Sequence, residues 1–256
     1  MIMSDSLRSV FAMIELELRR LRHDRTEFYT RAIQPILWLV IYGPVMSAVK
    51  AIPTGGVPYT DYITPGLLIQ STTFVAIFYG LTLVFERESG ILKKLLVSPP
   101  PRYAIVVGKS MSAGVRAIFQ ALILVPVALL IGVTFVPNVG YFVLALVLIS
   151  LSAAGFAAFS IIVASLMKTR ERMMGIGQAI TMPLFFASNA LYPVTMMPTV
   201  LQWLSIVNPL SHVVGAVRAL MITGDLTGLP LDLAAILLFD VIMFAAASVS
   251  FRRIIE

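Results

Sequence analysis

Six long apolar stretches, at residues 32–49, 63–85, 110–136, 141–167, 173–192 and 231–251, alternate with short polar breaks along the chain. At about 1.5 Å per residue, each reaches or approaches the hydrocarbon thickness of a bilayer. The pattern predicts an all-α integral membrane protein with six transmembrane helices forming a single domain over residues 1–256. Pro35 lies in the first turn of the first stretch and Pro44 in its last third, which predicts a kink there. Two further pieces, 199–207 and 210–222, are apolar but too short to cross. Asn208-Pro209 between them reads as a helix cap with proline at the first helical position. The region 193–225 is therefore expected to be a pair of re-entrant helices in the outer leaflet, ahead of the last span.

Two segments carry helical periodicity without the length or apolarity to span. In the first, within an N-terminal interface helix assigned to 1–30, Leu7, Val10, Phe11, Ile14, Leu18 and Leu21 recur every three or four positions. The second is the charged run after the second span, within 86–102. There Ile91, Leu92, Leu95 and Leu96 share one helical face, with Lys93 and Lys94 opposite, until Pro99-Pro100-Pro101 ends the helix. Such a helix either rests on lipid headgroups or docks a soluble partner.

Composition agrees with the pattern. The 256 residues are 59% hydrophobic and 12% charged, with mean hydropathy +0.93, whereas soluble domains carry roughly a quarter charged residues. The net charge of +6 acquires meaning from its distribution. Six Lys/Arg precede residue 32, six lie between 86 and 116, three at 168–172 and two at 252–253, seventeen of the nineteen. These segments share one side if the chain crosses six times, which puts both termini in the cytoplasm and the protein in the cell membrane. The basic residues thus set orientation and leave none for nucleic acid. The start lacks the basic-then-apolar order of a cleaved signal.

Cysteine is absent, and His23 and His212 have no ligand spacing, so no metal, disulfide or thiol chemistry is expected. Gly108-Lys109 resembles the end of a phosphate-binding loop, but Tyr103 stands where its first glycine belongs. The chain is accordingly not expected to be an enzyme or to bind a cofactor itself. Asp240, near the middle of the last span, is either a proton relay or an acid hydrogen-bonded to a neighbouring helix. Arg116 is expected to snorkel to the cytoplasmic boundary. Polar or aromatic side chains suited to a substrate path are Trp38, Tyr42, Gln70 and Asp240, with Gln34, Ser71, Thr72, Thr73, Gln120, Gln178 and Asn189 as further polar groups inside spans. Each alone serves equally as a helix–helix contact.

The segment Glu86-Arg87-Glu88-Ser89-Gly90-Ile91-Leu92-Lys93-Lys94-Leu95-Leu96-Val97-Ser98-Pro99 resembles the coupling-helix region of the permease subunits of ABC-2 type exporters. Asn208-Pro209 followed by Arg218 resembles the signature of the same family ahead of the last span. The branch resembled exports antibiotics of the daunorubicin type and lipo-oligosaccharide nodulation signals. Lys93-Lys94 departs from it, since members often carry an acidic residue there. The resemblance implies two permease copies, identical or paired with a relative, over two ATPase subunits that hold ATP and Mg. It implies docking of the ATPase by Glu86, Arg87, Glu88, Gly90, Ile91, Leu92, Leu95 and Leu96, and an outer gate at Asn208, Pro209 and Arg218. The cargo would be an amphiphilic drug, lipid or lipid-linked glycan. Competing readings are an ion-coupled secondary transporter using Asp240 and a non-transporting membrane scaffold.

The topology is directly testable, because a cysteine-free chain needs no background removal. Single cysteines at Gly56, Asn138 and Thr195 are expected to react with an impermeant maleimide from outside. Those at Ser98 and Thr169 should react only from inside. External labelling at Thr169 overturns the six-span count.

Overall fold

The computed structural model describes residues 25–88, 102–167 and 169–251, with isolated helical positions between 10 and 19. Among the described residues every regular element is a helix. The first is α1 (Arg25–Leu37), which passes through a π-helical stretch, Trp38–Tyr42, into α2 (Gly43–Val49). The kink expected from Pro44 takes this form. Proline has no N–H and its ring crowds the carbonyl four residues back. The wide turn relieves this by sending the Gly43 N–H to the Trp38 carbonyl, five residues back. The N-terminal interface helix lies mostly outside the described residues; positions 25–30 are the first turns of the helix that carries the first span.

Then follow α3 (Tyr59–Glu88), α4 (Arg102–Leu130), α5 (Val139–Leu166) and α6 (Arg170–Phe186). The short helices α7 (Thr199–Val207) and α8 (Pro209–Arg218) precede the last helix, α9 (Leu229–Ser250). Five segments are long and apolar enough to cross a membrane unaided: Tyr29–Val49, Tyr59–Phe85, Tyr103–Leu130, Val139–Leu166 and Leu229–Ser250. The 17 residues of α6 rise only about 25 Å. Its packing nevertheless takes it from one end of the bundle to the other. Met173 is buried with Val84 near the end of α3, and Ala190 abuts Gly66 near its start. α6 and the turn after it therefore complete the sixth crossing. α7 and α8 meet at 79° and do not add a seventh. The pair starts and returns near the Tyr59 end of α3: ahead of α7 the Tyr59 hydroxyl reaches the Leu191 carbonyl, and after α8 the Val136 N–H donates to the Met221 carbonyl. A π-helical stretch, Ala219–Thr223, closes α8, and Gly224 ends it at φ 70°, a left-handed cap.

At the centre is α5, packed against α3, α4 and α9. Its stripe Ser152, Ala153, Ala154, Gly155, Ala157 and Ala158 is entirely buried. Small side chains let neighbouring backbones approach where lipid provides no hydrophobic drive for helix association. Ser160 accordingly donates to the Ile77 carbonyl of α3 at 2.5 Å. A Cβ added to Gly114 of α4 would lie 2.6 Å from the Ser150 carbonyl oxygen of α5.

On the α9 side, a Cβ at Gly155 would overlap the Asp240 carboxyl. Asp240 is buried between α5 and α9, and neither carboxyl oxygen has a hydrogen-bond partner. Among the described residues neither oxygen meets a donor, and on the α5 side the carboxyl faces Gly155. Arg116 is 9% exposed, with its guanidinium 5.0 Å from the Tyr79 ring centroid of α3.

The fit at Gly155 predicts a coupled pair. Gly155→Ala alone should lower the thermal midpoint in detergent, overpacking of this kind costing about 1–3 kcal/mol. Asp240→Ala in the same chain should restore most of it. Additive effects in the double-mutant cycle would contradict the contact.

Candidate functional site

A helix leaves its last carbonyls without intrahelical partners, and lipid supplies no donor for them. α6 ends at Phe186, after Pro183 has already removed one donor from its ladder. Donors from elsewhere in the sequence reach this end. Asn208 Nδ2 donates to the Leu184 carbonyl at 2.7 Å, the Tyr192 hydroxyl to the Phe186 carbonyl at 2.6 Å, and the Ser188 hydroxyl to the Phe185 carbonyl at 2.6 Å. In the turn beyond, the Tyr59 hydroxyl donates to the Leu191 carbonyl at 3.0 Å, and the Tyr62 hydroxyl to the Asn189 carbonyl at 3.2 Å.

Arg218 closes the arrangement. Its Nη2 donates to the Asn189 carbonyl at 2.8 Å and its Nε to the Tyr62 carbonyl at 3.2 Å. The guanidinium lies 3.7 Å from the Tyr62 ring centroid, so a cation is held by an aromatic face and two carbonyl dipoles without a carboxylate. The Arg218 knot joins α8, α3 and the turn after α6.

The tip of the re-entrant pair is locked by its own sequence. Asn208 Oδ1 accepts from the Leu210 N–H at 3.0 Å and caps α8, with Pro209 at its first position. The hydroxyls of Ser205 and Ser211 lie 2.9 Å apart across the bend. His212 then ties the pair to the last span. Its Nε2 donates to the Ile206 carbonyl at 2.8 Å, and its Nδ1 lies 2.8 Å from Asp232 Oδ1. Gly215 leaves room for that carboxylate, since a Cβ there would sit 2.8 Å from Asp232 Oδ2.

The residues expected from sequence separate into groups. Asn208, Pro209 and Arg218 converge on the knot. Trp38 and Tyr42 join it through rings: Trp38–Tyr42 centroids are 4.9 Å apart, Tyr42–Tyr59 6.3 Å and Tyr59–Tyr62 6.5 Å. Gln70 stands apart, lining a cavity with Gln34 between α1 and α3. Asp240 is separate again, against α5. Glu86, Arg87 and Glu88 form the last turn of α3, and Gly90, Ile91, Leu92, Leu95 and Leu96 lie outside the described residues. Sequence reading missed Asp232 and Asp61. Asp232 is separated from His212 by twenty positions and a turn. Asp61 is buried and accepts from the Thr134 N–H at 3.2 Å and the Thr134 hydroxyl, tying the start of α3 to the α4–α5 turn. Among the described residues no group of three or more histidine or acidic side chains could hold a metal ion.

Helical spans with a bent pair before the last one are the architecture that the chain brings to a comparison with known families. The family model described as ABC-2 type transporter matches residues 8–222. The chain belongs to the ABC-2 type transporter family. Its relatives include the putative transport permease ycf38 of Cyanophora paradoxa, 27% identical over 220 residues, covering 84% of this chain and 74% of that protein. The probable multidrug ABC transporter permease YbhR of Escherichia coli (strain K12) is 32% identical over 156 residues, 60% of this chain but only 42% of the relative. Nodulation protein J of Sinorhizobium fredii is 26% identical over 196 residues, 74% of this chain and 72% of the relative. As a member of this family, the chain is a membrane-spanning transport permease.

Replacing Arg218 tests the knot. Arg218→Gln removes hydrogen bonds from a charged donor, each worth roughly 1.5–3 kcal/mol, and should lower the detergent thermal midpoint clearly. Arg218→Lys keeps the charge but not the planar fork that reaches two carbonyls, so it should fall between the two. Equal stability of all three proteins, measured by a thermal-shift assay, would remove the knot's structural role.

Proposed function

We propose that this chain is the membrane subunit of an ATP-driven exporter that moves an amphiphilic substrate outward with a separate ATPase. The main support is the position of the charged segment at 86–102 within a member of this family. α3 continues as helix to Glu88, three residues past the apolar stretch that ends at Phe85. The missing phosphate loop fits an energy source that lies on another chain. In this reading ATP and Mg are bound by two ATPase subunits, and the helix at 90–97 transmits their closure to α3 and α4.

A second permease copy completes the transporter, as homodimer or heterodimer. The outermost helices, α1 and α9, keep exposed Ile33, Leu37, Ile41, Leu238 and Val241 available to lipid or to that copy. The distribution of basic residues favours cytoplasmic termini and the cell membrane, which makes the Tyr59 end external. The re-entrant pair then forms an outer gate whose hinge is Asn208-Pro209 and whose anchor is Arg218. An amphiphilic cargo suits relatives named for multidrug transport and nodulation. The secondary-carrier alternative gains no support from Asp240, whose carboxyl has no second titratable group hydrogen-bonded to it.

Leu92→Asp with Leu95→Asp should abolish co-purification of the ATPase in a detergent pull-down. Burial of such leucines at an interface core is worth about 2 kcal/mol or more. The variant permease should still elute as the wild-type dimer on size exclusion. Full retention of the ATPase by a correctly folded variant overturns the docking role.

A further inference from the structure

α7 ends at Val207, and its last carbonyls lack partners within the helix. One of them, that of Ile206, meets the His212 ring, with Nε2 at 2.8 Å. The other ring nitrogen, Nδ1, stands 2.8 Å from Oδ1 of Asp232, in the first turn of α9. Each nitrogen thus faces an oxygen that only accepts when the acid is ionised. A neutral imidazole carries one N–H and turns a lone pair on one of the two oxygens, whereas the doubly protonated ring donates to both. Asp232 is seated against the backbone of α8, since a Cβ on Gly215 would lie 2.8 Å from its Oδ2. The two side chains keep 17% and 19% exposure, so the pair is screened yet within reach of protons from water.

We propose that His212 and Asp232 form a proton-operated latch, which holds the re-entrant pair on the last span while the imidazole carries both protons and releases it when one is lost. The inference concerns how the pair is held and rests on neither ATP-driven export nor a gating role. Asp232 is the charged side chain that faces the ring. Arg218, six positions along α8, turns to the Tyr62 ring of α3. Other titratable groups on elements packed against α8 are engaged or set apart. Tyr59 and Tyr62 donate to the Leu191 and Asn189 carbonyls, Asp61 is held by Thr134, and Tyr141 lies in the first turn of α5. Asp225, in the turn before α9, accepts from Thr227, and α7 carries no titratable side chain. His212 keeps its proton to higher pH than a free imidazole, through the hydrogen bond to Asp232 first, against its burial, and with the Ile206 carbonyl adding to the effect. The latch is therefore complete below about pH 6.5, where a free imidazole is also charged, and is lost as pH rises through the raised value. Each pH unit of that raise multiplies the ratio of closed to open chains by about ten.

A chain without cysteine takes spin labels at chosen sites. Trp203→Cys on α7 and Leu238→Cys on α9 replace exposed side chains outside the latch. The full chain labelled at both is diluted with unlabelled chain in lipid nanodiscs, so that distances within one chain dominate, and is measured by double electron–electron resonance. One distance is expected at about pH 5.5, with a second, longer one that gains about tenfold or more in relative population by about pH 9. His212→Gln, which retains a single donating group, should show both distances at every pH. Asp232→Asn keeps an oxygen opposite Nδ1 without its charge and should move the midpoint down by about one pH unit. It also keeps the test decisive if His212→Gln does not fold. A single distance that is unchanged across the range overturns the latch. So does a transition that persists in His212→Gln, or a midpoint that Asp232→Asn leaves in place.

Discussion

The constraint on which this fold depends is that a helix ending inside a membrane must find donors for its last carbonyls. α6 ends at Phe186, and the chain runs on through an irregular turn to Tyr192. Left unpaired in hydrocarbon, the carbonyls of Leu184, Phe185, Phe186, Asn189 and Leu191 would each cost several kcal/mol. They are met by Asn208, Ser188, Tyr192, Tyr62, Tyr59 and Arg218. The re-entrant pair is positioned by this requirement. Its tip carries the asparagine that reaches Leu184, and its second limb carries the arginine that reaches Asn189. A positive charge at the carbonyl end of a helix is also favoured by the aligned peptide dipoles.

A second requirement shapes the middle of the bundle. Helices in lipid gain little from burying apolar surface, so close contact has to come from shape. α5 presents alanine, glycine and serine on its contact face and leaves valine and leucine to the periphery, where Val143, Leu144 and Val147 are exposed. Asp240 occupies the space that Gly155 leaves. The acid is thus accommodated by the absence of a side chain and not by a polar partner, which sets it apart from the hydrogen-bonded Asp61 and Asp232.

These two devices divide the molecule. Near the Glu88 end the helices are joined by small-residue and aliphatic packing around Leu83, Ile105, Val106, Ile161 and Phe251. Near the Tyr59 end they are joined by hydrogen bonds to irregular backbone. The first kind of contact holds helices as rigid rods. The second concentrates geometry in a few polar side chains, Arg218 above all, whose loss would free several elements at once.

Much of this was legible in the chain itself. Hydrophobic run lengths determine the spans, because the thickness of a bilayer imposes a length on any helix that crosses it. The basic residues separate into alternate connections, and Asn208-Pro209 announces the start of a helix through local capping chemistry alone. The short apolar pieces at 199–222 were readable as re-entrant for the same reason of length. What the sequence could not determine was partnership across distance. Arg218 lies 156 positions from Tyr62, and nothing local says that its charge ends against a ring and two carbonyls. Arg116 reads from the sequence as a long side chain able to reach water; its contact with the Tyr79 ring exists only in the packed bundle. Asp240 looked able to find a partner on a neighbouring helix, and only the register of α9 against Gly155 leaves it without one. Propensity and hydropathy act over a few residues and so survive in the sequence, whereas register, coverage and the destination of a long side chain exist only once the helices have packed.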